Sequence, residues 1–317
     1  MGEKVAIVGC GLVGRGWAVA FARGGWDVAM WDPVEGAAAK SLDLARTIAD
    51  DLHAAGLLLG QDPATVLARI STTDDLAAAL DGAAWMQESA PEKLDVKRQL
   101  WKDLDRLAAP STILGSSTSA MVPSLFTEGL AGGGRCLVSH PLNPPHLIPC
   151  VELVPAPWTT PETMKRAEQV MNAIGQKPVV MGREIDGFVV NRLQGALMEE
   201  GFRLVADGFA GPEDVDAAVK HGLALRWSFM GPFETIDLNA PGGIADYIAR
   251  FQHMYRDMHE AQKRRVDWEA PEVLKKVLDD RRARLPLDKL AERTRWRDRR
   301  LMALLRQKQN SSKEIGD

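Results

Sequence analysis

Two residues near the middle of the chain have side chains suited to acid–base chemistry. His140 follows an apolar strand candidate at residues 136–139, and Glu152 lies in the next candidate, at residues 151–154. An imidazole titrates near neutral pH, so His140 is suited to take a proton from a hydroxyl group. If the strand of Glu152 lies beside His140, its carboxylate holds the tautomer and stabilises the imidazolium. The alternative is a histidine that only satisfies a turn, although a buried Glu152 needs a partner in either case.

Two other polar groups occur where predicted elements end or begin. Residues 112–115 are typical of a buried strand and run into Ser116-Ser117-Thr118-Ser119, and Asn191 lies in a later helical stretch. In open α/β sheets, ligands bind beyond the ends of the strands. We therefore expect these groups, together with His140 and Glu152, to contribute to a ligand site.

A glycine-rich turn at the start of the chain indicates a bound dinucleotide. A strand candidate at residues 4–9 runs into Gly9-Cys10-Gly11-Leu12-Val13-Gly14, a G-x-G-x-x-G turn that opens a helix. Gly9 permits the tight turn, Gly11 lets the backbone approach a pyrophosphate, and Gly14 allows the helix to pack closely on the strand. The backbone N–H groups at the helix N-terminus, around Leu12 and Val13, then face the phosphates.

Asp32 favours NAD over NADP. It ends a second strand candidate, residues 27–31, and follows Gly9 by 23 positions. A carboxylate there accepts hydrogen bonds from the adenosine ribose hydroxyls, whereas a 2′-phosphate would meet like charge. Residues 33–35 supply no cation. FAD, which uses the same fingerprint, and a glycine turn with a purely structural role are the alternatives.

Strands that alternate with helices must position these groups. Most of the strand candidates are separated by helical segments, the longest at residues 34–55. This alternation predicts an α/β fold with a doubly wound, mainly parallel sheet of Rossmann type. The remaining strand candidates lie at residues 69–72, 84–87, 112–115, 136–139 and 151–154.

The pattern changes near Asp186. Residues 187–209 have apolar side chains at helical spacing, and the chain beyond them has helix signals without a convincing strand. We therefore predict a Rossmann-type NAD-binding domain over residues 1–184 and an all-helical C-terminal domain, for substrate binding and dimerisation, over residues 185–317. The apolar face of residues 187–209 is suited to a homodimer interface or to packing within one chain.

Composition excludes several classes of protein. The content of 45% hydrophobic and 26% charged residues is typical of a soluble globular protein, and no run of eighteen apolar residues occurs. A net charge of −4 argues against a nucleic-acid partner, and we expect a cytoplasmic protein without a membrane partner. The three scattered cysteines, Cys10, Cys136 and Cys150, favour reduced thiols over disulfides or a metal site.

Several of these motifs, in this order, resemble those of the 3-hydroxyacyl-CoA dehydrogenase superfamily. The resemblance implies that His140 is the base, that Glu152 is its partner, and that Ser119 and Asn191 bind the reacting oxygen. It also implies that Glu92 and Lys97 contact the cofactor near the nicotinamide ribose, although by spacing alone they would form a solvated charge pair. The matching segments are Ser117-Thr118-Ser119, His140-Pro141-Leu142-Asn143-Pro144, Glu152 and Gly187-Phe188-Val189-Val190-Asn191-Arg192.

Within the superfamily, the chain resembles the L-gulonate 3-dehydrogenase branch, which includes lambda-crystallin. This resemblance implies an NAD-dependent oxidation of the 3-hydroxyl group of a small free hydroxy acid, with L-gulonate as the leading substrate. The alternatives are a 3-hydroxyacyl-CoA, carnitine, or a structural role like that of a crystallin. The branch motifs are residues 140–145, Gly222-Leu223-Ala224-Leu225-Arg226-Trp227, residues 230–235 and Arg295-Trp296-Arg297-Asp298.

Arg226 lies in one of these branch segments. A free hydroxy acid brings a carboxylate into its pocket, and a guanidinium group binds carboxylates with two hydrogen bonds. We therefore expect Arg226 to bind the substrate carboxylate. The alternative is a surface arginine stacked on Trp227.

Overall fold

The computed structural model describes residues 2–316, which form two compact units. The first unit runs to Val190 and includes the later segment Asp298–Arg306. The second unit comprises Asn191–Arg297 and the residues from Gln307 onwards. The predicted domain boundary, after residue 184, lies a few residues before the point at which the chain leaves the first unit.

An eight-stranded sheet forms the centre of the first unit. Its strand order is β3-β2-β1-β4-β5-β6-β7-β8, and neighbouring strands are parallel except for β6 and β7. The order reverses between β1 and β4, which creates the crevice where ligands bind in such sheets. The strands are β1 Lys4–Val8, β2 Asp27–Trp31, β3 Ile70–Thr72, β4 Ala83–Glu88, β5 Ile113–Ser116, β6 Cys136–Pro141, β7 Cys150–Pro155 and β8 Lys177–Val180.

Helices cover both faces of this sheet. In β1, Val5 and Ile7 belong to one buried apolar cluster, whereas Ala6 and Val8 belong to another, because successive side chains of a strand point to opposite faces. The predicted doubly wound α/β fold is therefore confirmed. The helices are α1 Leu12–Arg23, α2 Ala37–Ala54, α3 Pro63–Leu67, α4 Leu76–Leu80, α5 Leu94–Leu107, α6 Ser124–Thr127 and α7 Pro161–Ala173, with a 3₁₀ turn at Gly133–Arg135.

Strand β8 was not among the strands predicted from the sequence. This strand lies at the edge of the sheet and contains Pro178, which has no N–H group to donate. Its four residues do not form the longer apolar run that is typical of a central strand. The long helix predicted at residues 34–55 begins later, at Ala37, after Gly36 in a left-handed conformation.

Within its described residues, the second unit contains helices and no strand. The helix predicted at residues 187–209 spans Val190–Ala206, with only Val190 in the first unit. None of the helices within residues 2–316 is long and apolar enough to cross a membrane. The helices after α7 are α8 Val190–Ala206, α9 Pro212–Ala217, α10 Ala224–Trp227, α11 Pro232–Asp237, α12 Gly243–Gln262, α13 Pro271–Arg284 and α14 Leu290–Ile315, with a π-helical turn at Ala218–Leu223 and a 3₁₀ turn at Leu287–Lys289.

Candidate active site

The glycine-rich turn between β1 and α1 has the shape that a pyrophosphate requires. Gly9 has φ +93°, and a Cβ on Gly14 would lie 1.9 Å from the carbonyl oxygen of Gly9, so neither position accommodates a side chain. A Cβ on Gly11, in contrast, would meet no protein atom within 4 Å. Gly11 therefore leaves open space in front of the backbone, as a phosphate-binding turn requires.

The N-terminus of α1 faces outward from this turn without a side-chain cap. Gly11 is the N-cap residue, and its neighbours Leu12 and Val13 begin the helix. The first N–H groups of a helix have no partner within it, and they carry the positive end of the helix dipole. This arrangement fits the phosphates of a dinucleotide.

Asp32 supports the same turn from the end of β2. Its Oδ2 accepts a 2.7 Å hydrogen bond from the Cys10 N–H group, and its Oδ1 accepts a 3.0 Å bond from the Val34 N–H group. Burial, aided by the negative charge of Asp32, raises the pKa of the Cys10 thiol to about 12. Cys10 is therefore a neutral thiol at physiological pH and has no nucleophilic role.

Glu92 holds the polar segment that follows β5. Its Oε2 accepts a 2.7 Å hydrogen bond from the Thr118 hydroxyl, and its Oε1 accepts a 2.8 Å bond from the Ser119 N–H group. Ser119 itself is exposed. One predicted cofactor residue thus fixes the backbone of a predicted substrate residue.

Lys97 does not form the solvated pair with Glu92 that spacing alone suggests. Its side chain is fully buried, and its Nζ lies 2.7 Å from Glu88 Oε2 and 3.3 Å from Ser116 Oγ. The Trp101 indole also donates to Glu88 Oε2, at 3.2 Å. A cofactor contact by Lys97 stays a prediction, because its ammonium group is held inside the first unit by this carboxylate.

His140 and Glu152 are brought together by β6 and β7. The two residues lie directly opposite each other in the antiparallel register, and Nδ1 of His140 is 2.8 Å from Oε2 of Glu152. Glu152 is fully buried and His140 is 7% exposed. The condition set by the sequence, that the two strands are neighbours, is met.

The second oxygen of Glu152 is held by the segment that enters α8. Oε1 accepts hydrogen bonds from the N–H groups of Val189, at 2.7 Å, and Val190, at 2.9 Å. Gly187 and Phe188 place these groups, since both have positive φ, and such a conformation is strained for Phe188. The Phe188 ring is fully buried, with its centroid 5.6 Å from that of His140.

These contacts set the charge of Glu152 and the tautomer of His140. Burial raises the pKa of the Glu152 carboxyl, but hydrogen bonds from His140, Val190 and Val189 and the nearby imidazole outweigh it, so the pKa is lowered. An ionised carboxylate only accepts hydrogen bonds, so Nδ1 of His140 carries a hydrogen and Nε2 has its lone pair available. His140 is therefore arranged to act as a base through Nε2.

The other two predicted site residues belong to the second unit. Asn191 follows Val190 in the first turn of α8 and is half-buried. Arg226 is exposed on α10, and its Nη1 lies 3.5 Å from Oδ1 of Asn239. The roles of both residues stay predictions.

Sequence reasoning missed the buried polar groups beneath this site. Gln87 and Glu88 are completely buried at the end of β4; Gln87 bonds to Ser117, which follows β5, and Glu88 bonds to Ser116, the last residue of β5. Two consecutive polar residues that end an apolar strand were the available signal. Among residues 2–316, no group of three or more histidine, cysteine or acidic side chains is arranged to hold a metal ion.

The fold, the glycine turn and the His140–Glu152 pair define an NAD-dependent oxidoreductase. The chain belongs to the 3-hydroxyacyl-CoA dehydrogenase family, whose NAD-binding domain matches residues 4–185 and whose C-terminal domain matches residues 187–286. NAD is its cofactor, and its activity is that of a hydroxy-acid dehydrogenase.

Individual relatives extend this likeness over nearly the whole chain. The lambda-crystallin homolog of Rattus norvegicus is 40% identical over 309 residues, which cover 95% of this chain and 94% of that protein. The L-carnitine dehydrogenase of Oceanobacillus iheyensis is 37% identical over 86% of this chain and 85% of its own length. Among solved structures, an NAD⁺-dependent 5-formyl-3-hydroxy-2-methylpyridine 4-carboxylic acid 5-dehydrogenase is similar, with a TM-score of 0.80, 28% identity, and coverage of 96% of this chain and 98% of that one.

Proposed function

We propose that this enzyme oxidises the 3-hydroxyl group of a small free 3-hydroxy acid, and that L-gulonate, converted to 3-dehydro-L-gulonate, is its leading substrate. The observation that carries the chemical part is the His140–Glu152 pair, with Nδ1 and Oε2 2.8 Å apart. A general base of this kind serves the removal of a hydroxyl proton. The lambda-crystallin relatives support the choice of substrate, because the L-gulonate 3-dehydrogenase branch includes lambda-crystallin.

In this mechanism NAD, which the glycine turn and Asp32 would hold, would supply the acceptor for the hydride that leaves the carbon bearing the hydroxyl group. Nε2 of His140 takes the hydroxyl proton, and the ionised Glu152 stabilises the imidazolium that forms. Ser119 and Asn191 donate hydrogen bonds to the reacting oxygen and orient it toward His140. Since the Ser119 N–H group donates to Glu92, the backbone that carries the Ser119 hydroxyl group is held in place.

The cofactor is assigned to the glycine turn and to the polar residues around it. The backbone at the N-terminus of α1 receives the pyrophosphate, Asp32 the adenosine ribose, and Glu92 and Lys97 the region of the nicotinamide ribose. Lys97 is fully buried against Glu88 and Ser116, so its role there is to position these two residues. The turn residues concerned are Gly9, Gly11, Leu12, Val13 and Gly14.

A free acid is favoured over a thioester by Arg226. A carboxylate in a pocket needs a cationic, hydrogen-bonded partner, and the Arg226 guanidinium supplies one, whereas a CoA thioester has no charge beside its reacting carbon. The similar 5-formyl-3-hydroxy-2-methylpyridine 4-carboxylic acid 5-dehydrogenase is named for a substrate that carries a free carboxylic acid.

Carnitine is the second candidate substrate, because an L-carnitine dehydrogenase is 37% identical to this chain. Carnitine is also a free 3-hydroxy acid. Unlike L-gulonate, it carries a quaternary ammonium group, which proteins typically bind against aromatic side chains. A 3-hydroxyacyl-CoA such as 3-hydroxybutyryl-CoA is the further alternative. A purely structural role, like that of a crystallin, is disfavoured because His140, Glu152, Ser119 and Asn191 are all present.

A substrate panel tests this assignment. The formation of NADH is followed at saturating NAD⁺ with L-gulonate, other aldonates, simple 3-hydroxy acids, L-carnitine and 3-hydroxybutyryl-CoA, and the values of kcat/KM are compared. We expect L-gulonate to give the highest value. A higher kcat/KM for 3-hydroxybutyryl-CoA than for every free acid contradicts the free-acid proposal. A higher kcat/KM for L-carnitine than for L-gulonate keeps the free-acid proposal but makes carnitine the leading substrate.

We also propose that the enzyme is a cytoplasmic homodimer. Large apolar side chains are exposed on the second unit, and surfaces of this kind commonly mark protein interfaces. The buried, free thiols of Cys10 and Cys136 are suited to a reducing compartment. The large apolar side chains that are at least 63% exposed in this unit are Leu193, Phe209, Leu225, Phe229, Phe233, Leu238, Leu287 and Ile315. Sedimentation equilibrium at micromolar concentration checks the dimer, and a monomer there contradicts it.

A further inference from the structure

A chain of buried hydrogen bonds lies beneath the crevice between β1 and β4. Its centre is the fully buried amide of Gln87. The Trp85 indole N–H lies 3.0 Å from Gln87 Oε1, and the Ser139 carbonyl oxygen lies 3.2 Å from Gln87 Nε2. An indole only donates and a carbonyl only accepts, so these two groups fix which end of the amide is oxygen.

The direction of the next hydrogen bonds follows from this orientation. Ser117 Oγ receives one hydrogen from Gln87 Nε2, at 2.7 Å, and another from the Trp17 indole, at 3.1 Å. A hydroxyl oxygen has two lone pairs, and these donors occupy both. The single hydrogen of Ser117 must therefore be donated, and its recorded neighbour is Ser89 Oγ, at 3.0 Å.

Ser89 consequently accepts from Ser117 and keeps its own hydroxyl hydrogen for another group. Within residues 2–316, the Ser89 hydroxyl makes no hydrogen bond to a protein group other than Ser117. Ser89 is half-buried, so this hydrogen is available to a group on the accessible side of the residue. The buried chain thus makes Ser89 an oriented donor.

The position of Ser89 identifies what this donor faces. Ser89 directly follows β4, its N–H donates to the Val8 carbonyl at the end of β1, and a Cβ on Gly9 would lie 2.8 Å from the Ser89 carbonyl carbon and oxygen. On its other side it bonds to Ser117, two residues before the predicted oxygen ligand Ser119. Ser89 therefore lies between the pyrophosphate turn and the segment predicted to bind the substrate.

We propose that Ser89 binds the cofactor through its hydroxyl group, donating to an oxygen of the nicotinamide-side phosphate or of the ribose attached to it. The hydrogen bonds among Trp17, Gln87 and Ser117 make Ser117 donate to Ser89, so the hydroxyl hydrogen of Ser89 remains available for the cofactor. A donor whose direction is fixed before binding loses little conformational freedom when the ligand arrives. This inference depends on NAD as the cofactor and not on which hydroxy acid is oxidised.

Calorimetric titration of the full chain with ADP-ribose, AMP and NAD⁺ tests the proposal without measuring turnover. Ser89→Ala removes the donor, and Ser89→Cys keeps similar size but has only a weak donor. We expect both variants to bind ADP-ribose and NAD⁺ about tenfold more weakly, the scale of one hydrogen bond to a charged or polar ligand oxygen. The Kd of AMP should stay within about twofold of the wild-type value, because AMP lacks the acceptors in question.

Ser111→Ala, at an exposed serine before β5, is the matched control and should leave all three Kd values unchanged. Thermal unfolding without ligand should show both Ser89 variants within about 2 °C of the wild type. An unchanged Kd for ADP-ribose in either Ser89 variant overturns the proposal; for Ser89→Cys it would show that size and not donation matters. An equal loss of AMP binding overturns the placement on the nicotinamide side.

Discussion

His140 lies directly opposite Glu152 on two antiparallel strands, with Nδ1 of the imidazole 2.8 Å from Oε2 of the carboxylate. The other oxygen of Glu152 is bound by two backbone N–H groups, so the carboxylate cannot turn away from the histidine without losing them. This relationship determines which imidazole nitrogen is available to a substrate. It also predicts that mutations of the two residues lower kcat for different reasons: loss of the base at His140, and a changed tautomer of His140 when Glu152 is replaced.

Replacement of His140 by alanine should lower kcat by about 10²–10⁴-fold, since a general base contributes to the transition state of proton transfer. The affinity for NAD⁺ should change little. Steady-state kinetics with the best free acid and calorimetry with NAD⁺ measure the two effects. His53→Ala, at an exposed histidine of α2, is the control. Retention of more than about half of the wild-type kcat by the His140 variant would exclude His140 as the base.

Replacement of Glu152 by glutamine should also lower kcat, by forcing the wrong tautomer. The amide oxygen can still accept from Val189 and Val190, but the NH₂ group then faces Nδ1, which must accept. Nε2 would consequently carry the hydrogen and lose its function as a base. The comparison of kcat with that of Glu168→Gln, at an exposed glutamate of α7, checks this expectation. A Glu152 variant with the kcat of the control would show that the tautomer is set by another group.

The same substitution should change how stability depends on pH. Because the pKa of Glu152 is lowered below 4.5 in the folded protein, its ionised form stabilises the fold above pH 4.5, and this contribution is lost as the pH falls through the lowered value. The Tm of the wild type should therefore exceed that of Glu152→Gln near neutral pH. The difference should shrink as the pH falls below 4.5, the ordinary pKa of a glutamate carboxyl group. Scanning calorimetry measures it, and a difference that grows on acidification would contradict a lowered pKa.

Asp32 should set the preference for NAD. We expect the wild type to favour NAD⁺ over NADP⁺ by at least about tenfold in kcat/KM, or roughly 1.4 kcal/mol. Asp32→Ala should weaken NAD⁺ binding and narrow this preference, because the carboxylate no longer repels a 2′-phosphate. Asp50→Ala, at an exposed aspartate of α2, should change neither NAD⁺ binding nor the preference for NAD⁺ over NADP⁺. Equal kcat/KM with both cofactors in the wild type would remove the role proposed for Asp32.

Arg226 should matter for the substrate and not for the cofactor. Arg226→Ala should raise KM for the best free acid by at least about tenfold, as expected for the loss of a charge-assisted pair, with the Kd of NAD⁺ unchanged. Arg226→Lys should raise KM nearly as much as Arg226→Ala, since an ammonium group does not reproduce the two parallel hydrogen bonds of a guanidinium group. Arg256→Ala, at an exposed arginine of α12, is the control. An unaltered KM in Arg226→Ala would place the carboxylate site elsewhere.

The sequence alone was sufficient to predict the α/β class, the tight glycine-rich turn after β1 and the helical C-terminal region. These features depend on local chemistry. Gly9 has φ +93°, and Gly14 lies too close to Gly9 for any side chain, so the spacing of the glycines reports a short-range steric requirement. Alternating strands and helices likewise follow from residues that are near one another in the chain.

Only the tertiary structure decided which distant polar groups meet. The family resemblance paired His140 with Glu152, but their contact depends on β6 and β7 being antiparallel neighbours. Spacing suggested a solvated pair for Lys97 and Glu92, whereas the fold buries Lys97 against Glu88. The reason is physical: a buried charge or hydroxyl must find a partner wherever packing provides one, and that partner is chosen by the arrangement of the whole sheet and not by separation along the chain.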